Sequence, residues 1–499
     1  MELAGELRAA NFFADATGRR ADAPTPPMRR SSSGSSPSRM ELPDDGSQTL
    51  APATDDDDEF APLSTEIAEA SSDAGSKGET GHSTVLQTAA MLTGEVMGTG
   101  VLSLPYACVA LGWVPGIGAS VLFAAAAAYA GVLLSRVRNG FFPQAASYAD
   151  LAGATMGDGA RRVTRAIVLG SWSLLLPYYM MAVVSSLRVA FADEVELCYW
   201  QWAIGVMVAL LPFLQIRSLH HISHFAAAST AAMVAAIVVT LAVLVSSRPG
   251  GGGGGGGGAP TTTLWPREAS VLGLYSSFAE FIFAYQGHSL FLEFMREMRA
   301  PHRFPRALAA ANVAMCAVYT ATAAVGYGTR GDAIAPFLPS SLPPGRGRLA
   351  VSLLLAFHIA VTYMIVALPL NREVHRLLFP RTADGAGAAT AAHWLLLTVG
   401  QLLFGYVVAN AVPFFADFQA FLGALMGAPF VFGFPALFYL RASALHGQRV
   451  PLGDRVACAV FLAVCLPLFT VLGAVSAARD VARDWGELGG PFSCELHGF

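Results

Sequence analysis

The sequence predicts an all-α membrane protein of about eleven transmembrane helices, arranged as two five-helix halves and one extra helix. Three observations support this. The 499 residues are 54% hydrophobic and only 13% charged, against about 25% charged in an ordinary soluble domain. Apolar runs recur near the roughly 20 residues needed to cross a bilayer core. Two of them, at matching places in the two halves, are interrupted by glycines and polar residues that a helix in hydrocarbon would normally avoid.

Taken in order, residues 1–82 are rich in Ser, Pro, Asp and Ala and hold no apolar run. "SSSGSSPS" and the acidic "DDDDE" at 55–59 mark a disordered cytoplasmic tail, and nothing there resembles a cleavable signal peptide. The transmembrane domain is expected over 83–478. Its spans fall at about 85–109, 112–134, 163–187, 199–215, 222–246, 270–292, 307–327, 349–369, 392–412, 418–440 and 454–476. The repeats are then about 85–246 and 270–440, with 454–476 as the extra helix and 479–499 as a short non-cytosolic tail.

Orientation follows from arginine placement, since Lys and Arg favour cytoplasmic loops. With the N-terminus inside, the inner loops hold sixteen arginines and the outer segments eight. The acidic loop with Asp193, Glu194 and Glu196 then faces outward. Gly250–Gly258 joins two spans on that side. No Lys-Ser or Lys-Thr follows it, so it reads as a flexible linker and not a phosphate loop. Of the six cysteines, only Cys198 and Cys494 fall on the outer side, where a disulfide between them is chemically permitted. The net charge of -4 carries no basic stripe for nucleic acid.

The first interruption is "TGEVMGTGVLSLPYA", residues 93–107. A break at Gly98, Thr99 and Gly100 would free amides at the start of a second half-helix, and these suit a carboxylate. The carbonyls that end the first half-helix suit an ammonium or a cation. The second interruption, Gln286, Gly287 and His288, lies in "LYSSFAEFIFAYQGHSLFLEF". Interrupted segments in corresponding positions are a sequence pointer to a secondary transporter's site.

"GTGVLSLPYACVALGW" (98–113), "FAYQGHSLFLEFMREMRAPHRFPRAL" (283–308) and "PFFADFQAFLGALMGAPFVFGFPALFYLR" (413–441) resemble the amino acid/auxin permease family, over roughly residues 84–476. The resemblance implies the leucine-transporter fold, with inverted five-helix repeats and broken helices 1 and 6, and mostly proton-coupled amino acid transport. It departs at Glu95, where the family often has asparagine.

The expected substrate residues are Gly98, Thr99, Gly100, Tyr178, Phe281, Tyr285, Gln286 and Gly287, with Tyr179 as a further pocket candidate. Glu95, Glu280, His288 and Thr362 are the expected ion-coupling residues. A charge at bilayer centre costs about 2.5–3.5 kcal/mol on insertion scales, so an intramembrane carboxyl group is a functional candidate. A proton makes it tolerable there, which suits a proton carrier. His358 reads as an interior histidine. The expected function is proton-coupled symport of small amino acids in a plasma or vacuolar membrane, with Na+ as the alternative ion and no cofactor or metal. The expected partners are the amino acid and the bilayer. An amino acid sensor signalling through the N-terminal tail is the competing reading. No nucleotide loop, metal-ligand cluster or Ser/His/Asp set argues for an enzyme.

Overall fold

The computed structural model describes residues 83–217, 219–247, 260–266, 271–383, 385, 387–487, 490–492 and 494. The expected tail 1–82 and the linker 250–258 lie outside the described residues. Secondary structure among the described residues is helical, apart from one parallel bridge between Ser83 and Met298.

Helix α1 (Val85–Val96) starts at a capping box, in which Thr84 Oγ1 accepts from the Gln87 amide and Gln87 Oε1 accepts from the Thr84 amide. After a 3-10 turn the chain resumes as α2 (Leu104–Leu111), with Pro105 in its first turn, where a missing N–H is harmless. Gly112 then turns the chain at φ 74° into α3 (Trp113–Gly140). There follow α4 (Tyr148–Met156), α5 (Asp158–Ala190), α6 (Tyr199–Phe213) and α7 (Leu219–Ser246). The second half holds α8 (Val271–Ala284), α9 (Phe291–Glu297), α10 (Phe304–Arg330), α11 (Arg346–Leu378), α12 (Ala388–Ala411) and α13 (Phe415–Leu445). Helix α14 (Leu452–Glu487) closes the chain.

Eight of these are long and apolar enough to cross a membrane by length and composition. In place of the other three expected spans stand shorter helices, the broken pairs α1/α2 and α8/α9 and the 15-residue α6, so the structure does not establish the count of eleven. Helix α14 continues well past residue 476, where the apolar run ends. "VSAARDVARDWGE" still favours helix through its Ala and Arg residues, and it packs on α8 and α13.

Helix pairing reveals the internal repeat. The first broken pair lies on the second, α3 on α10, α5 on α11 and α6 on α12, so each of the first four members of one half meets its counterpart. The fifth members cross over symmetrically, α7 packing on α11 and α13 on α5. This is the arrangement expected of two five-helix repeats with broken first members.

Three ties fix the ends. Ser83 N donates to Glu297 O (2.9 Å) and Arg299 N to Ser83 O (3.0 Å), joining the chain before α1 to the chain after α9. On that same side, Asp454 accepts from Tyr129 Oη (2.7 Å), Arg136 Nη1 (2.8 Å) and Tyr439 Oη (2.9 Å), tying α14 to α3 and α13. At the opposite end Cys198 and Cys494 form a disulfide, so the pairing left open by the sequence is made in the structure.

Candidate functional site

Both sequence interruptions are real breaks. Helix α1 ends at Val96, where Met97 N reaches Thr93 O (2.8 Å) and Gly98 N turns back to Val96 O (2.8 Å). The chain then forms the 3-10 turn Thr99–Leu102. Helix α8 ends at Ala284, and a second 3-10 turn spans His288–Leu290 before α9. The amides that open each new turn have no intrahelical partner, so both half-helices present donors where the breaks meet.

Glycine is required at this crossing for close approach. A Cβ on Gly100 would lie 2.8 Å from Ala284 Cα, and one on Gly287 would lie 2.4 Å from Val96 Cγ2. Gly98 differs, because a Cβ there would meet nothing within 4 Å.

A polar chain braces the crossing from α5 and α13. Tyr178 Oη donates to Gln419 Oε1 (2.6 Å), and Gln419 Nε2 donates to Gly100 O (3.1 Å) and Glu280 O (3.4 Å). Tyr178 stacks on Phe415 at 5.0 Å and meets Phe283 edge-on at 5.0 Å, while Phe337 packs on Phe415 at 5.0 Å. Tyr178, Phe415 and Phe337 seal one side of the breaks.

On the other side lies a cavity. Glu95, Gly98, Thr99, Gly100, Gln286 and Gly287 line it, so the structure brings six of the expected site residues together. Tyr179 lines it as well, with Trp172 and Leu175 of the same helix face. Their spacing of three and four residues is a helical stripe visible in the sequence. Ser171, Phe283 and Ser289 also reach the cavity. Gln286 Oε1 is a buried oxygen with no hydrogen-bond partner among the described residues. Such an acceptor is costly to leave unpaired, and it lies toward Gly427 of α13.

The remaining expected residues stand outside that lining. Tyr178 acts through Gln419, as above, and Phe281 is fully buried in packing. Tyr285 Oη lies 3.2 Å from Ser120 Oγ. His288 is fully buried, its Nε2 3.0 Å from Ala127 O and its ring against Phe291. Thr362 Oγ1 donates to His358 O (3.0 Å) within its own helix, and His358 Nδ1 lies 2.8 Å from Ser229 Oγ. Glu280 is buried on α8, displaced from the cavity toward Asp417 and Asp480. Sequence reasoning misses Gln419, although an amide inside "FADFQAFLG" is a usable signal. Among the described residues no group of three or more His, Cys, Asp or Glu could hold a metal ion.

Residues 81–478 match the family described as transmembrane amino acid transporter protein. The chain is 23% identical to amino acid transporter ANT1 of Arabidopsis thaliana over 406 residues, which is 79% of this chain and 91% of that protein. It is 23% identical to amino acid transporter AVT1D of the same plant, over 78% of this chain and 69% of that one. The N amino acid transport system protein of Neurospora crassa is 25% identical over 238 residues, 46% of this chain and 50% of its own length. Among solved structures, a Na+-coupled sialic acid symporter in a substrate-bound outward-open state aligns with TM-score 0.48 and 11% identity, covering 83% of this chain and 94% of that one. MhsT in complex with L-phenylalanine aligns with TM-score 0.47 and 14% identity, covering 80% and 100%. The broken helices and their cavity thus sit in a chain that belongs to the transmembrane amino acid transporter family, a family of multi-pass membrane transporters and not of enzymes.

Proposed function

We propose that this protein moves small amino acids across a membrane by alternating access, driven by protons. The observation that carries the reading is the cavity at the crossing of the two breaks, where donors, acceptors and one carboxyl group converge. The amides opening at Thr99 and Gly100 take the substrate carboxylate, aided by the positive end of the half-helix. The carbonyls ending α1 take the ammonium. Trp172, Tyr179 and Phe283 bound the remaining space, which favours a small side chain.

Glu95 is the proposed proton carrier. It sits next to the last residue of α1 and lines the cavity, so a proton it binds shares a compartment with the substrate. The N-terminus is placed in the cytoplasm on the arginine distribution, and the cavity then lies on the cytoplasmic side of the breaks. Reconstituted vesicles given a panel of labelled amino acids, with and without an imposed pH gradient, test the reading. Gradient-dependent accumulation of small amino acids is expected. Binding without flux, or accumulation driven only by Na+, would overturn it.

A further inference from the structure

At the crossing, two carbonyl oxygens converge. Val96 O ends the first half of one broken helix and Ala284 O ends the first half of the other. Tyr319 of α10 reaches both, its Oη lying 3.1 Å from each. Val96 O also accepts from Gly98 N at 2.8 Å. Two carbonyls that face one another repel unless a donor or a positive charge lies between them. The tyrosine hydroxyl supplies that donor, and its single hydrogen is shared between oxygens 188 residues apart in the chain, at positions 96 and 284.

The side chain is held to this task. Tyr319 is fully buried, its ring centroid 4.9 Å from that of Tyr285. Tyr285 Oη is in turn 3.2 Å from Ser120 Oγ, which lies 2.9 Å from Thr320 Oγ1. Helix α10 itself packs on α1, α2 and α3. Gly100 and Gly287 bring the breaks close enough for one hydroxyl to span them.

We propose that Tyr319 is a positioning residue whose hydroxyl fastens the two breaks together, so that both rearrange as one body when the cavity changes side. The fastening follows from the geometry alone, and its consequence for transport rests on the proton-driven alternating-access function proposed for the cavity.

Hydrogen–deuterium exchange of purified Tyr319→Phe tests the fastening without any substrate. The ring stays and only the hydroxyl goes. Amides of both 97–103 and 285–290 are expected to exchange roughly threefold to tenfold faster, the range set by one hydrogen bond. Tyr148→Phe removes another buried hydroxyl, one without a hydrogen-bond partner among the described residues, and should leave both segments unchanged. Unchanged exchange at both breaks in Tyr319→Phe, or faster exchange at one break only, overturns the proposal. If the variant does not insert, gradual warming of the wild-type protein decides. Joint loss of protection at the two breaks supports the fastening, and loss at 97–103 well before 285–290 overturns it. In vesicles Tyr319→Phe should slow substrate exchange at least tenfold with KM changed less than about threefold. Wild-type turnover in a variant with loosened breaks would show that transport does not need the fastening, whereas a wild-type protein that moves no amino acid would overturn only the transport function.

Discussion

Replacing Gly98 with alanine separates a substrate cradle from simple helix packing. A Cβ at Gly98 meets nothing within 4 Å, so a methyl group there has room. The fold should therefore tolerate the methyl, with stability within about 1 kcal/mol of wild type. Gly98 lines the cavity, so the methyl stands where a carboxylate would approach the amides of Thr99 and Gly100. Losing one charge-assisted hydrogen bond costs about 1.5–3 kcal/mol, or roughly tenfold to a hundredfold in affinity. Gly100→Ala behaves differently, because its Cβ falls 2.8 Å from Ala284 Cα and backbone must shift. Overpacking of that kind costs about 1–3 kcal/mol of stability. The assay pairs uptake kinetics with thermal melting of purified protein. Gly98→Ala should keep its melting temperature and raise KM at least tenfold, while Gly100→Ala should melt lower. A wild-type KM in Gly98→Ala would refute the cradle.

Three further outcomes are expected. Glu95→Gln keeps the size of the side chain and cannot titrate, so it should exchange amino acid across vesicles yet no longer accumulate it as external pH falls; wild-type accumulation in an inward proton gradient would reduce Glu95 to a structural role. Tags at the two ends should show opposite protease access in sealed membranes, the N-terminal one cytoplasmic; access from the same side would remove the eleven-span topology. Cys198→Ser breaks a link between residues 296 positions apart and should lower the melting temperature by as much as reductant lowers that of wild type, the variant itself being insensitive to reductant; an equal further drop in the variant would assign the effect of reductant to another site.

The breaks are legible in the sequence because irregular backbone and polar side chains are costly in hydrocarbon unless a cavity or a neighbouring helix receives them. Gly98, Gly100, Gln286 and Gly287 all reach the crossing for that reason. Residues that serve the site from a distance leave a weaker trace. Gln419 and Tyr319 act on carbonyls of Gly100, Val96 and Ala284, and only the packing of α10 and α13 on the breaks brings them there. His288 illustrates the converse: it neighbours the second break in sequence, yet it turns to Ala127 O on α3 and does not line the cavity. Adjacency along a broken helix does not fix which way a side chain points. The end of α14 is hidden for a different reason, since hydropathy marks where apolar residues stop and not where the helix stops.

The cavity and the aromatic seal lie on opposite sides of the breaks. Glu95 precedes the first break and Ser289 follows the second, so both lie toward the end of the molecule where Ser83 meets Met298. The opposite side of the breaks is filled by Tyr178, Phe337 and Phe415, with Phe283 between them and the cavity. Phe337 comes from the segment between α10 and α11, at the far end from Ser83. To admit substrate from that far side, the Tyr178–Phe415 stack must part and Gln419 must release Gly100 O. Release of Gln419 exposes Gly100 O at the break. Under the proposed transport function, opening of the far side therefore leaves that oxygen to be satisfied from the space that opens.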